Sequence, residues 1–185
     1  LFIVFCLGFS VRHFAQSEYT SAIEASRKAK NEELRSKKTS PLQKEDRKAF
    51  HDLDYFPVDE NWRKTVRFRT SPTLEEIEIP TSAGTTKTFQ AYGLMEIEDG
   101  DNHFSITAYK RVWPNGVNPY PNEEESLFVP FKDLTSGEST YGGGRYLDIP
   151  IPASDGEIEL DFNACYNPYC AYGTGFSCPI PPKHN

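Results

Sequence analysis

The spacing of apolar side chains changes character about a third of the way along the chain. Residues 21–38, SAIEASRKAKNEELRSKK, are rich in helix formers, and Ser21 and Glu24 stand at capping-box spacing, so an amphipathic but weakly apolar helix is expected there. A second start signal follows at Ser40-Pro41-Leu42-Gln43, with serine in the N-cap place, proline at the first helical position and glutamine three residues after the serine. Ala49, Phe50 and Leu53 supply one apolar face, which predicts a helix over residues 41–51.

After Phe56-Pro57 the period becomes two, with Trp62, Val66 and Phe68 alternating against Arg63, Thr65, Arg67 and Arg69. Further strands are expected over 75–79, 87–97, 103–111, 127–131, 146–151 and 157–162, separated by turn signals at Ser82-Ala83-Gly84, Asp99-Gly100 and Asp155-Gly156. Short strands joined by such turns predict a mainly β, α+β architecture: N-terminal helices followed by an antiparallel β-sandwich or partly closed β-barrel. A helical segment at 17–56 and a β domain at 57–185 are the expected divisions, the second helix packing with the β domain as one unit. The long connection at 113–125 has the composition of a binding lid and equally of an ordinary surface excursion.

The first residues, LFIVFCLGFSV, are apolar apart from Ser10, and RHFAQS follows them. That order predicts a secretory leader over residues 1–16 and a secreted or periplasmic protein, with an apolar core element as the alternative. A lipid-anchor reading of Cys6 is disfavoured by Phe5, where a small residue is wanted. No other segment is long and apolar enough to suggest a membrane span after cleavage. Residues 1–70 carry 14 Lys/Arg against 10 Asp/Glu, whereas residues 71–185 carry 6 against 17, so the β domain is acidic and nucleic acid is not an expected partner.

The segments FVPFKDLTSGESTYGGGRYLDIP and IELDFNACYNPYCAYGTGFSCPIPP, with FHDLDYFPVDENWRKTVRF more weakly, resemble the bacterial and archaeal family catalogued as domain of unknown function 1684. The resemblance covers residues from about 50 to 185 and implies no activity. It also suggests a further apolar strand beyond Asn185.

Within those segments Gly142, Gly143 and Gly144 mark a tight backbone feature that delivers Arg145 to a defined place. Alternation in IELDFN sets Asp161 and Asn163 side by side, away from Ile158, Leu160 and Phe162. With Asp133 and Asp148 these residues form a polar set that Arg145 could organise, either as the grip on a small polar or anionic molecule or as an ion pair fastening two strands. The expected ligand-binding residues are Arg145, Tyr146, Asp148, Asp161, Asn163, Asn167 and Tyr169. A hydrolase using Asp148 or Asp161 as general base is the alternative from another class, and a purely structural or interaction module the third. Seryl hydrolysis is not expected, because no G-x-S-x-G elbow occurs and His13, His51, His103 and His184 are scattered.

Cys165, Cys170, Cys178 and His184 could be drawn as a zinc set, but the spacing contains no C-x-x-C pair and export favours oxidation. A Cys170–Cys178 disulfide is expected, with Cys165 buried beside Phe162; no metal or cofactor is expected, and oligomeric state is not legible. Tyr166, Tyr169 and Tyr172 could wall a ligand site or pack in the core.

Overall fold

A computed structural model describes residues 7–119 and 125–185. The chain divides into two compact units, Leu1–Glu60 and Asn61–Asn185. In the first unit helix α1 (Leu7–Arg35) precedes a short helix α2 (Lys44–Ala49). The expected leader lies partly outside the described residues, and from Leu7 onward α1 continues through the expected cleavage point. Among the described residues no helix is long and apolar enough to cross a membrane.

What secures α1 is a polar stripe more than an apolar one. Arg27, Asn31 and Arg35 recur every four residues and therefore share a face. The extended segment 50–56 runs antiparallel along that stripe: Arg35 donates to the His51 carbonyl and to Asp52, Asn31 accepts from the Leu53 amide at 3.0 Å, and Arg27 donates to the Phe56 carbonyl at 2.8 Å. Ser40 does not cap the second helix as its position suggests. Its hydroxyl instead donates to the Leu34 carbonyl at 2.6 Å and accepts from the Leu42 amide, closing the end of α1, and α2 starts later with Gln43 at its N-cap and no side-chain cap.

The second unit is a curled, antiparallel sheet of seven strands: β1 (Arg63–Thr70), β2 (Glu76–Pro80), β3 (Thr86–Asp99), β4 (Asn102–Arg111), β5 (Ser126–Phe131), β6 (Arg145–Pro150) and β7 (Gly156–Asp161). Its order is β6-β5-β4-β3-β1-β7, with β2 paired to β3 beyond the end of β1. Beyond β7 the chain turns back so that Tyr146 and Tyr166 exchange both backbone hydrogen bonds at 2.9 Å, which ties one end of the sheet to the other. The architecture is thus the partly closed barrel of the two expected forms.

Val66, Phe68, Met95, Ile97, Ile106, Ala108, Leu127, Val129, Phe131, Leu147, Ile149 and Leu160 fill its concave side. Ile79, Phe89 and Tyr109 form a smaller cluster with Ile77, Ala91 and Phe128. Since Ala108 and Tyr109 are consecutive on β4 and belong to different clusters, the smaller one lies on the outer face. Strand β3 serves both through a bulge between Ala91 and Gly93, where one extra residue reverses which parity faces inward. Phe89 and Ala91 point outward, Met95 and Ile97 inward, although all four positions are odd. At the same place the partner of β3 passes from β2 to β1, and a side chain on Gly93 would collide with the Phe68 ring at 2.4 Å.

Strands β4 and β5 are paired in register only at Tyr109 and Phe128. Pro130 has no amide proton to continue the ladder, and Asn185 fills the break. Its side-chain amide accepts from the Thr107 amide and donates to the carbonyls of Thr107 and Pro130 at 2.8–2.9 Å, while its carbonyl accepts from Lys132.

Candidate functional site

The glycine run ends in the turn 141–144, in which the Gly144 amide donates to the Tyr141 carbonyl at 3.0 Å. Only Gly144 of the three has a positive φ, at 92°, and a Cβ there would lie 2.6 Å from the Phe131 carbonyl oxygen and 2.7 Å from Pro181. Although a Cβ on Gly143 would also collide, with the Tyr141 ring at 2.2 Å, the left-handed backbone is one residue wide. It brings β6 against β5 and sends Arg145 into the mouth of the barrel, in phase with Leu147 and Ile149.

Arg145 does not meet Asp148 or Asp161 there. Its partner is Asp133 at 2.5 Å, with the Thr135 hydroxyl at 3.2 Å, Cys165 Sγ at 3.4 Å and the Phe131 ring 5.2 Å below the guanidinium. Only 14% of the arginine side chain is exposed. Burial works against the Asp133 charge, but the Thr135 hydroxyl, Arg145 and the Thr135 amide outweigh it and hold the carboxyl below its ordinary value. Loop 132–144 is braced around this pair: Asp133 accepts from the Thr135 amide and hydroxyl, the Thr135 hydroxyl meets that of Thr140 at 2.9 Å, and the Thr135 carbonyl takes the amides of Glu138, Ser139 and Thr140. The geometry is that of a fastening between β6 and the loop before it.

The remaining expected residues gather elsewhere. Asp148 stands three residues from Arg145 on a strand and so faces outward, where its carboxylate accepts from the Tyr166 hydroxyl at 2.5 Å. Burial, then that carboxylate, raises the Tyr166 hydroxyl far above the usual tyrosine range. Tyr146 packs edge-on to Tyr166 and Phe128 and donates to the Pro179 carbonyl at 2.5 Å; burial first, then Tyr141, raises its hydroxyl too. Asp161 and Asn163 lie side by side, but facing each other and not along a strand, because β7 ends at Asp161 and residues 162–164 form a tight helical turn. Asp161 caps that turn, accepting from the Asn163 backbone and side-chain amides at 2.9 Å, and Asn163 is buried. Asn167 is half-buried beyond Tyr166, and Tyr169 packs against Phe176.

Cys170 and Cys178 form the expected disulfide, with Cα atoms 6.3 Å apart. Cys165 packs partly buried against Phe162 and the core. His184 does not join it; its Nε2 meets the Tyr109 hydroxyl at 2.8 Å. Among the described residues no group of His, Cys, Asp or Glu could hold a metal ion.

A different pair of cations stands on the outer face. Lys87 and Arg111 continue the parity of Phe89 and Tyr109, so both project from the apolar side of their strands, and Arg111 is the register partner of Phe89. The Arg111 guanidinium lies 4.9 Å from the Phe89 ring centre and 5.1 Å from that of Trp113, and donates to the Thr88 carbonyl at 2.8 Å. Lys87 donates to the Ser177 carbonyl at 2.6 Å, beside the disulfide. Among the described residues neither cation has a carboxylate within ion-pair distance. Burial lowers the Lys87 ammonium below its ordinary value and Arg111 adds to this; burial likewise lowers Arg111, with Glu78 countering it from a carboxylate held by the hydroxyls of Thr86 and Thr88. The signal for this pair was present in the alternation: a cation in phase with an apolar stripe is out of place on solvation grounds and calls for a partner.

A curled antiparallel sheet closed by a tyrosine bridge, bearing a braced arginine inside and two partly buried cations outside, defines a small β-domain class with its polar chemistry at the rim. The chain belongs to the family described as Protein of unknown function (DUF1684), whose model matches residues 48–185. Among solved structures it is similar to the solution NMR structure of the uncharacterized protein from gene locus rrnAC0354 of Haloarcula marismortui, at 29% identity over 92% of this chain and 90% of that one, with a TM-score of 0.69. No curated protein matches.

Proposed function

We propose that the protein is a secreted or periplasmic binding module for a small anionic molecule, gripped by Arg111 and Lys87 on the outer face. The observation that carries this is the pair itself: two adjacent, partly buried cations without an ion-paired carboxylate among the described residues, on a chain of net charge −7. Holding like charges together is unfavourable unless an anion joins them. The Cys170–Cys178 bond supports the extracytoplasmic part of the reading. Arg145, first in line as the grip, is taken by Asp133 and acts as a strand fastener. The hydrolase alternative draws no support from Asp148 and Asp161, each engaged with a neighbouring side chain.

The test is a titration with sodium acetate followed by amide NMR shifts. Saturable shifts are expected at residues 87–89 and 111–113, lost in Arg111→Gln and kept in Arg145→Gln, whose defect is a lower unfolding midpoint. An unsaturable response, or equal saturation in Arg111→Gln, overturns the assignment.

A further inference from the structure

Resting on that assignment, we propose that the ligand is a monovalent carboxylate carried on a flat ring, with Arg111 and Lys87 taking the carboxylate and Trp113 the ring. Three features set the class.

The first is the use already made of Arg111. One Nη1 donor is committed to the Thr88 carbonyl, which fixes the plane of the guanidinium and leaves other donors for one small acceptor group. A planar fork fixed in this way matches the two oxygens of a carboxylate. The second is the company of the cations. Phe89 and Trp113 lie beside Arg111, and of these only Trp113 retains appreciable exposure, since Phe89 is buried. An anion seated on Arg111 therefore has an indole next to it, and a ring attached to that anion gains stacking area that a methyl group does not.

The third is the surrounding field. Residues 71–185 hold 17 acidic against 6 basic side chains, and the Glu78 carboxylate stands close enough to act on Arg111. Every additional negative charge on a ligand meets that field, so one charge is accommodated where two are opposed. Inorganic phosphate and phosphate esters are disfavoured on this ground although their oxygens fit the cations.

The measurement compares sodium benzoate, sodium acetate and inorganic phosphate at pH 7 and constant ionic strength, reading the amides of residues 87–89 and 111–113. Benzoate is expected to bind roughly fivefold more tightly than acetate, with phosphate weaker than benzoate. Trp113→Leu should bring benzoate down to the level of acetate while leaving acetate unchanged, and Trp113→Phe should restore most of the difference. Equal affinity for benzoate and acetate overturns the ring assignment and leaves the anion site standing. Phosphate binding tighter than benzoate overturns the single-charge assignment. No saturable response to any of the three overturns the anion site, and this inference falls with it.

Discussion

At Gly144 an added methyl group meets the Phe131 carbonyl oxygen as well as the Pro181 ring, and the φ of 92° is one that other residues adopt at a cost. Gly144→Ala should therefore destabilise the fold by about 2 kcal/mol or more in urea unfolding, whereas Gly142→Ala, with ordinary contacts at 3.5 Å or longer, should be near neutral. The three glycines announced a tight feature in the sequence, but which of them carries it depends on Phe131 and Pro181, which are distant along the chain. Arg145 teaches a related lesson. That Asp148 would face away from it was readable from their odd spacing on a strand; that Asp133 would meet it required the loop between β5 and β6 to fold back. The pair also sets a pH dependence. The folded Asp133 carboxyl titrates below its ordinary 3.8, so its contribution is present above that pH and is lost as pH falls through the lowered value. Asp133→Asn should be less stable than the wild type at neutral pH, and the difference should shrink below about pH 3.8 in chemical denaturation across pH.

Among the elements, the strands were legible because alternation reports burial on one side directly: β1 buries Val66 and Phe68 and leaves Arg67 and Arg69 exposed. The helices were less so. The start expected at Ser40 yields to the pull of that hydroxyl toward the open end of α1, a contact six residues back that no capping pattern contains. In β3 the bulge hides a change of phase inside one continuous strand, and with it the reason Lys87 belongs to the outer face. The seam between β4 and β5 was also invisible, since it depends on a proline in one strand and an asparagine 55 residues later. Asn185→Ala leaves the Thr107 amide and carbonyl without this partner, and a loss of about 1–3 kcal/mol is expected. Urea unfolding checks the magnitude, and faster deuterium exchange at the Thr107 amide checks the place.

For the whole molecule, closure rests on few connections: the Tyr146–Tyr166 bridge, the strap from Ser177 to Asn185, and the Cys170–Cys178 bond that anchors the strap. A disulfide at a separation of 8 residues restricts the unfolded chain by about 2–3 kcal/mol in the chain-entropy model. Reduction, or the double change Cys170→Ser with Cys178→Ser, should lower the unfolding midpoint accordingly, and the Lys87 side chain should lose its fixed carbonyl partner. The bulge in β3 has a consequence for the order in which the molecule opens. One strand is shared by a large inner cluster and a small outer one, and the hand-over from β1 to β2 falls between them. The outer segment, with β2 as a short edge strand, can detach while the inner one stays shut, so the two halves of β3 need not melt together. In native-state exchange, amides of residues 76–79 and 86–90 should exchange through a sub-global opening of low free energy, while those of 66–68 and 93–97 wait for global unfolding; a single rate for both would mean that the barrel and its outer face form one cooperative unit.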